Sequence, residues 1–425
     1  MTFSFMVVGI GEGGGRIAQA FQEFDYKTLA INTAQSDLDG LDIPPEHKLL
    51  LKISQGGTGK NPLLVKEALT KNDHRTALKN FIEQQIRSHP HRELLYVLLC
   101  VGGGGGSGSG LANTVLDMML EFNVPVGMIY TLPSREEDVV TKTNAVSTFQ
   151  EIYNQKAING AVSPLIIVDN DCMDRQGIPI KDFYVLANIK IAQSLHQFNS
   201  FSQLPSKYFS AVDTLDFGRL LGLGGVCSFG KMRIVDPTDF GLIKEMMSTS
   251  LFVQGVNIQS AKGAAVIVQA PEYILKDQLI SDCINFLFQE TINTVGGGLV
   301  FRGVYEDNQS KNLDVFLVFN GMTFPQDRFN QIWEDIRAGH ASVKRKEKRI
   351  DQMTYEVEDN LMSTQIFQRI QKPVVTPVKM VPCNNCRLNA FKTSSHIYNG
   401  TGPSPFSSGM CPRCRGRGVV EYRES

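Results

Sequence analysis

The chain has 425 residues, more than one domain usually holds, so at least two domains are expected. Its 42% hydrophobic content is enough for sizeable cores. The balance of 42 basic and 43 acidic residues excludes a global attraction to nucleic acid or to a membrane surface, so any such contact must be local.

The first predicted strand is the apolar start of the chain. Residues 1–8 lack a basic cluster and run directly into glycines, which indicates a buried strand rather than a signal peptide. No uninterrupted apolar stretch reaches the roughly twenty residues that span a bilayer. Four scattered cysteines have the apolar neighbours typical of reduced core thiols: Cys100, Cys172, Cys227 and Cys283. We therefore expect a cytoplasmic protein without membrane contact.

Apolar strand patterns alternate with amphipathic helical patterns over the first 200 residues. The predicted strands lie at 7–10, 28–31, 94–101, 126–130 and 165–168. This alternation favours an α/β fold with a doubly wound parallel sheet. In such a sheet the ligand loops lie at the carboxyl ends of the strands.

The first glycine-rich segment covers residues 9–15 and precedes a helical pattern. Glycine lets backbone N–H groups close on a phosphate, and the helix N-terminus favours negative charge. The segment also fits the dinucleotide fingerprint through Gly9, Gly11 and Gly14, so a nicotinamide-dependent oxidoreductase is an alternative. Against it, the next strand ends in Asn32, where such an enzyme would place an acidic residue for the ribose.

A second glycine-rich segment follows the strand at 94–101. Between Gly102 and Gly110 all but two positions are glycine, which a structural turn rarely needs and a phosphate-wrapping loop explains. Residues 104–110 resemble the tubulin/FtsZ signature Gly-Gly-Gly-Thr-Gly-Thr/Ser-Gly, with Ser107 in place of Thr. A member of this superfamily would bind GTP with Mg²⁺, hydrolyse it and assemble head to tail into a homopolymer.

The resemblance implies further nucleotide contacts in chain order. Residues 57–62 resemble the loop that senses the terminal phosphate, and residues 131–137 resemble the sugar-binding segment, with Glu137 accepting a ribose hydroxyl. FtsZ carries Arg at the position of Thr141, and the neighbouring Lys142 is expected to compensate.

The base-binding positions that the resemblance implies fall at the end of the fifth strand and on a helix predicted from residue 182 to 198. On that helix, four-residue spacing lets Tyr184 stack on the base while Asn188 hydrogen-bonds its edge, together with Asn170. Taken singly, each of these residues would more often be an ordinary surface or core residue. The full set of implied nucleotide-binding residues is Gly11, Glu12, Gly13, Gly14, Gly15, Arg16, Asn32, Thr58, Gly59, Lys60, Asn61, Gly104, Gly105, Gly106, Ser107, Gly108, Ser109, Glu137, Asn170, Tyr184 and Asn188.

Two carboxylates complete the resemblance. Asp213 and Asp216 match the family loop Asn-x-Asp-x-x-Asp, except that Ala211 replaces Asn. In relatives this loop docks on the nucleotide of the next subunit, where its acids orient water and metal for attack on the γ-phosphate. Phosphoryl transfer depends mainly on positioning and charge stabilisation, so both residues are catalytic candidates. The alternative is a helix N-cap at Asp213, and both roles could hold together.

Two later segments resemble the TubZ branch of the family, which belongs to plasmids and phages. They are residues 188–196 and residues 319–325, the second followed by a long charged helix. That likeness implies filaments that move DNA through a DNA-binding adaptor. A division-type, FtsZ-like filament or a phage-positioning filament is the alternative within the family.

The chain is predicted to have four parts. They are a GTP-binding domain with its connecting helix at 1–205, a second α/β (activation) domain at 206–325, a C-terminal helix and linker at 326–380, and a zinc-ribbon-like module at 381–425. Strands of the second domain are predicted at 264–268, 299–304 and 315–319, and the C-terminal helix at 326–349.

The last module contains two Cys-x-x-Cys pairs, Cys383 with Cys386 and Cys411 with Cys414. Such pairs suit tetrahedral Zn²⁺ in a closed, structural site, and the second pair resembles the DnaJ-type zinc module. Basic neighbours of the pairs suit an adaptor, cargo or nucleic-acid contact, or equally a solubilising surface. A third reading is therefore a zinc-tailed DNA-binding protein whose GTPase-like body is only a scaffold.

Overall fold

The computed structural model describes residues 4–174, 183–204 and 211–342, and two short strands at 379–382 and 419–422. The chain divides into two compact units, Met1–Val343 and Lys344–Ser425. Across these described stretches, every helix is too short or too polar to cross a membrane.

Ten strands belong to the first unit. They are β1 (Ser4–Ile10), β2 (Lys27–Asn32), β3 (Lys48–Leu50), β4 (Leu95–Gly102), β5 (Val126–Leu132), β6 (Leu165–Asp169), β7 (Val226–Ile234), β8 (Gly263–Ala270), β9 (Leu299–Glu306) and β10 (Leu313–Met322). The α-helices are α1 (Gly11–Ala20), α2 (Gln35–Asp39), α3 (Pro62–Ala68), α4 (Asn72–Arg87), α5 (Gly106–Glu121), α6 (Val139–Ile152), α7 (Asn170–Asp174), α8 (Phe183–Phe201), α9 (Thr214–Leu221), α10 (Phe240–Met247), α11 (Glu272–Leu275), α12 (Gln278–Val295) and α13 at 326–342.

All ten strands form one sheet in the order β3-β2-β1-β4-β5-β6-β7-β10-β8-β9. Strands β1 to β6 pair in parallel, and β1 lies between β2 and β4. The strand order therefore reverses beside β1, which is the switch point where a crevice for ligands opens at the carboxyl ends. The predicted doubly wound α/β fold is confirmed.

Strand β7 joins the two halves of the sheet. It pairs in parallel with β6 through only Leu165↔Val226 and Ile166↔Cys227. On its other side it pairs in antiparallel fashion with β10, which in turn pairs with β8. The predicted GTP-binding and second domains thus share one continuous sheet, and the boundary between them stays a prediction.

Helices cover both faces of the sheet. Alternate residues of a strand point to opposite faces, so Met6 and Val8 of β1 belong to one apolar core and Phe5 and Val7 to the other. Burial on both faces explains why the parallel strands are apolar throughout instead of alternating. This packing fixes the strand ends from which the site loops emerge.

Helix α13 packs on the first of these cores. The ring of Phe329 lies 4.4 Å from that of Phe149 on α6, between centroids, and Ile332 and Ile336 are buried one and two turns further along. The helix was predicted to run from residue 326 to 349, and the described part ends at residue 342.

The second unit contributes β11 (Lys379–Pro382) and β12 (Val419–Tyr422), an antiparallel pair in which Pro382 lies opposite Val419. The pairing brings together the two ends of the segment 383–418. The four cysteines predicted to bind zinc lie inside that segment and outside the described residues.

The two glycine-rich segments pack backbone to backbone. A Cβ on Gly11 would lie 2.9 Å from the backbone nitrogen of Gly108, and a Cβ on Gly14 would lie 2.1 Å from the carbonyl oxygen of Cys100 on β4. A Cβ on Gly108 would lie 2.2 Å from the carbonyl oxygen of Gly102 at the end of that strand. No side chain fits between them. The first turns of α1 and α5 are therefore held against β4 at a distance that only glycine permits.

We predict that Gly14→Ala destabilises the first unit by at least about 3 kcal/mol, because the clash is with backbone atoms that cannot rotate away. The matched control is Gly105→Ala. A Cβ on Gly105 meets nothing within 4 Å and its φ is −82°, so the loss should stay below about 1 kcal/mol. Urea unfolding of both variants measures the difference, and equal midpoints would contradict this packing.

Candidate functional site

An open cleft with a volume of about 1190 Å³ lies at the carboxyl ends of β1, β2, β4, β5 and β6. Its wall contains most of the predicted nucleotide-binding residues: Gly11, Glu12, Gly13, Arg16, Thr58, Gly59, Lys60, Gly104, Gly105, Gly106, Ser107, Gly108, Glu137, Asn170, Tyr184 and Asn188. Further wall residues that were absent from the predicted set are Gln19, Gln22, Glu23, Thr33, Ala34, Ser36, Asp37, Asp42, Gly102, Thr131, Pro133, Thr141, Val185 and Ile189.

The N-termini of α1 and α5 both open on the cleft. Their N-cap residues are Ile10 and Gly105, which carry no side-chain acceptor for the first N–H groups of the helix. These N–H groups and the positive ends of the two helix dipoles suit an anion. The geometry therefore provides a cradle that fits a chain of phosphates.

Three hydroxyl groups meet beside this cradle. The Oγ1 atom of Thr33 lies 2.7 Å from Oγ of Ser107 and 3.2 Å from Oγ1 of Thr58. Thr33 and Thr58 come from the loops after β2 and β3, and Ser107 comes from the first turn of α5. Thr33 directly follows β2 and the predicted site residue Asn32, although Thr33 itself was not in the predicted set of nucleotide-binding residues.

The loop that contains Lys60 is fastened across the cleft. Lys60 Nζ donates to the carboxylate of Asp138, which also accepts from the backbone N–H of Thr141 at 2.9 Å and caps α6. The hydrogen bond from Lys60 has the largest effect on the Asp138 carboxyl, followed by that from the Thr141 N–H, and both lower its pKa. The amide of Asn144 donates to the carbonyl oxygens of Lys60 at 2.8 Å and Gly104 at 3.2 Å, so the loop that contains Lys60 is tied to the second glycine loop.

Five predicted nucleotide-binding residues do not line the cleft but support it: Gly14, Gly15, Asn32, Asn61 and Ser109. The first two lie buried inside α1. The Asn32 side chain donates to the Asp37 carboxylate and accepts from the backbone N–H of Thr33 in the turn after β2. Asn61 caps α3, and the Ser109 hydroxyl donates to the carbonyl of Gly103.

Glu137, in the predicted sugar-binding segment, lines the cleft, and its Oε1 accepts from the backbone N–H of Ser134 at 3.2 Å. Thr141 also lines the cleft, but Lys142 does not. The buried Lys142 ammonium donates to the carbonyl of Arg135 at 2.7 Å and to Asp335 of α13 at 2.9 Å. The expectation that Lys142 compensates for the missing Arg is therefore wrong, because its charge is used in packing α13.

The base-binding positions line the opposite wall. Asn170 begins α7, and Tyr184 and Asn188 lie one turn apart on α8. Tyr184 is 57% exposed and lines the cleft, where a planar ligand could stack on its ring.

A buried guanidinium lies directly behind this wall. Arg328 of α13 donates from Nε and Nη2 to both carboxylate oxygens of Asp169, at 2.7 and 3.0 Å. Its Nη2 also donates to the carbonyl of Pro133 at 2.8 Å. Burial raises the pKa of the Asp169 carboxyl, and the guanidinium acts in the opposite direction. Nothing in the sequence pattern pointed to Arg328.

The candidate catalytic residues lie away from this cleft. Asp213 is exposed at the N-cap of α9, where its Oδ1 accepts from the backbone N–H of Asp216 at 2.8 Å. The capping role considered as the alternative is confirmed. The preceding residue, Val212, donates its backbone N–H to the buried Tyr305 hydroxyl at 3.0 Å, which fixes the loop on β9.

In the described part of the chain, His, Cys, Asp and Glu side chains do not cluster in groups of three that could hold a metal ion.

Sequence comparison finds tubulin-like relatives. The tubulin-like protein CetZ of Pyrococcus horikoshii is 27% identical over 354 residues, which cover 81% of this chain and 92% of CetZ. CetZ and TubZ relatives both match, so the predicted closeness to TubZ alone is not borne out.

Two solved structures share the fold. A GTPγS-form protofilament of TubZ from Bacillus thuringiensis serovar israelensis has a TM-score of 0.69 at 21% identity, covering 82% of this chain and 94% of that one. A TubZ described as a type III plasmid segregation protein has a TM-score of 0.64 at 20% identity, covering 80% and 93%. At these identities the likeness establishes the fold.

The sequence of residues 4–175 matches the model of the tubulin/FtsZ family, GTPase domain. The matched range contains both glycine loops, the hydroxyl cluster and Asn170. Residues 4–175 therefore match a GTPase domain of the tubulin/FtsZ type, and the protein is a GTPase with a tubulin/FtsZ-like fold.

Proposed function

We propose that the protein is a cytoplasmic, filament-forming GTPase that binds GTP in the cleft at the switch point of the sheet and hydrolyses it at the contact between two subunits. One observation carries the proposal. Two glycine loops and two helix N-termini without side-chain caps converge on one cleft, while the candidate catalytic carboxylates lie elsewhere on the same chain.

The residues of the cleft suit GTP along its whole length. The N-termini of α1 and α5 would hold the phosphates, and Glu137 would accept a ribose hydroxyl. Asn170 and Asn188 would bond the guanine edge, and Tyr184 would stack on the ring. A bound Mg²⁺ would neutralise phosphate charge, and the hydroxyls of Thr33, Thr58 and Ser107 would orient the terminal phosphate and its water.

A second copy of the chain would complete the site. Asp213 and Asp216 are held on α9 outside the cleft, with the 73% exposed Leu215 between them. Beside the cleft, Leu63 is 64% exposed and Val140 is 53% exposed. Apolar side chains at both places would be buried if one subunit docked its α9 loop on the cleft of the next. The TubZ protofilament, which has the same fold, supports such a head-to-tail homopolymer.

We propose further that the filament positions plasmid or phage DNA through its C-terminal unit. The TubZ described as a plasmid segregation protein and the basic residues around the cysteines support this function. The relation to CetZ equally supports a different cargo, and a division-type filament is the second candidate. A nicotinamide-dependent oxidoreductase is not supported, because the family match assigns the first glycine loop to a GTPase.

The paired strands β11 and β12 support a zinc module. The two strands pair at the ends of the segment that contains Cys383, Cys386, Cys411 and Cys414. This pairing holds the start and the end of the segment next to each other. Four thiolates would then hold one structural Zn²⁺, and a DNA-binding adaptor or cargo would bind the surrounding basic surface.

We expect GTP to bind more tightly than ATP by at least about tenfold, which is roughly 1.4 kcal/mol, because the two asparagines match the guanine edge. Asn188→Ala should reduce this preference. Gln193→Ala, an exposed position on the same helix away from the cleft, should retain it. Direct binding titrations measure both affinities, and equal affinities of the unmodified chain for GTP and ATP would remove the assignment.

Asp213→Asn and Asp216→Asn should leave GTP affinity nearly unchanged and lower GTP turnover by about a hundredfold or more, since each removes one negative charge from the shared site. Asn caps helices as well as Asp, so Asp213→Asn should keep α9 intact. Asp213→Ala should lose about a further 1 kcal/mol of stability. Filaments of the charge variants should persist when seen by electron microscopy.

The same assay tests the shared site. Turnover per subunit should rise steeply with protein concentration as subunits assemble. A rate per subunit that is the same at every concentration would show that each chain hydrolyses GTP alone.

The C-terminal unit should bind one zinc per chain, and double replacement of Cys383 and Cys411 by Ser should remove it in elemental analysis. Chelation should unfold residues 383–418 and leave GTP-dependent sedimentation unchanged. A chain that ends at Gln371 should still polymerise but lose its partner. Purified protein without zinc would refute the module, and full filament function of the shortened chain would refute its role in attachment.

A further inference from the structure

The loops on the sugar and base side of the cleft are held from behind by one helix that does not line the cleft. Arg328 of α13 bonds Asp169 through both carboxylate oxygens and bonds the carbonyl of Pro133. Pro133 lines the cleft, and Asp169 directly precedes Asn170, which also lines it. A single guanidinium therefore joins the end of β5 to the end of β6.

The contact extends through a second carboxylate. The Nη2 atom of Arg328 lies 3.6 Å from Oδ2 of Asp171, which pairs with Nε of Arg135 at 2.8 Å. Asp171 also accepts from the backbone N–H of Arg135 at 2.7 Å and donates its own N–H to Asp169 at 3.1 Å. The two loops are thus cross-linked to each other, with the guanidinium supplying the positive charge between two buried carboxylates.

A second contact lies on the same face of α13. Asp335, seven residues after Arg328 and so two turns along, pairs with Lys142, whose ammonium also donates to the carbonyl of Arg135. The sugar-binding segment is therefore tied to α13 at two places, directly through Pro133 and through Lys142 at Arg135.

We propose that Arg328 is a positioning residue for the nucleotide, and that the docking of α13 sets the geometry of the ribose and base side of the cleft. The inference rests on the proposed GTP site. The guanidinium fixes where the Asn170 amide and the segment leading to Glu137 stand. The phosphate end is built from α1, α5 and the loop after β3, whereas the hydrogen bonds and ion pairs of Arg328 within the described residues go to Pro133, Asp169 and Asp171.

Loss of Arg328 should therefore weaken one half of the site and spare the other. Affinity for GTP should fall, and the preference for GTP over ATP should fall with it, because both depend on the base and ribose contacts. The ratio of GTP to GDP affinity reports on the terminal phosphate and should stay unchanged. A general loss of stability would lower the affinities for GTP, GDP and ATP by the same factor and leave both ratios unchanged.

Two variants avoid leaving carboxylates buried without a counter-charge. Arg328→Lys keeps the charge but loses the two-pronged contact and the reach to Pro133. The double variant Arg328→Gln with Asp169→Asn removes the ion pair and leaves neutral partners. The matched control is Arg337→Met, an exposed arginine on the same helix.

Equilibrium titrations with GTP, GDP and ATP provide the test. For both variants we expect the Kd for GTP to rise at least about tenfold, the GTP-to-ATP preference to fall, and the GTP-to-GDP ratio to stay within about twofold of the unmodified chain. Arg337→Met should match the unmodified chain. Folded variants that keep the affinity and base preference, or that lose the GTP-to-GDP ratio equally, would overturn the positioning role. Absence of a GTP preference in the unmodified chain would instead refute the proposed function.

Discussion

The direct backbone contact between the two glycine loops is the constraint on which the rest of the site depends. Because no side chain separates α1 from the end of β4, the N-termini of α1 and α5 lie side by side and open on one cleft. The loops after β2 and β3 then close on this pair through Thr33, Thr58 and the carbonyl of Gly59, which accepts from the N–H of Gly106. The phosphate side of the cleft is therefore built on that contact.

The parts of the fold set by local pattern were predictable from the sequence. Five strands of the parallel region, the helix predicted at 182–198 and both glycine loops were predicted near their observed positions, because burial on both faces makes the strands continuously apolar. Strand β7 was missed. Its second half alternates Lys231 and Arg233 with apolar residues and contains Gly230, so it lacks the apolar run of the other central strands.

In the candidate site, too, the features set by local sequence were predictable and those set by distant contacts were not. Loop residues were predictable because glycine motifs are local, whereas Arg328 was not, since its partners Asp169 and Pro133 are 159 and 195 residues away along the chain. Lys142 was expected to take the place of the FtsZ arginine in the cleft, and this expectation failed for a related reason. Its partner Asp335 is 193 residues away, and only the docking of α13 reveals that the ammonium faces away from the cleft.

The docking of α13 also has a mechanical consequence. This helix is the last element of the first unit. Arg328 bonds Pro133 and Asp335 bonds Lys142 at two points about 10 Å apart along the axis of the helix. On the helix between Arg328 and Asp335, the side chains of Phe329 and Ile332 are buried in the core. Tension applied to the chain beyond residue 342 would act on α13, and its two ion pairs would pass part of that force to the loops around the cleft.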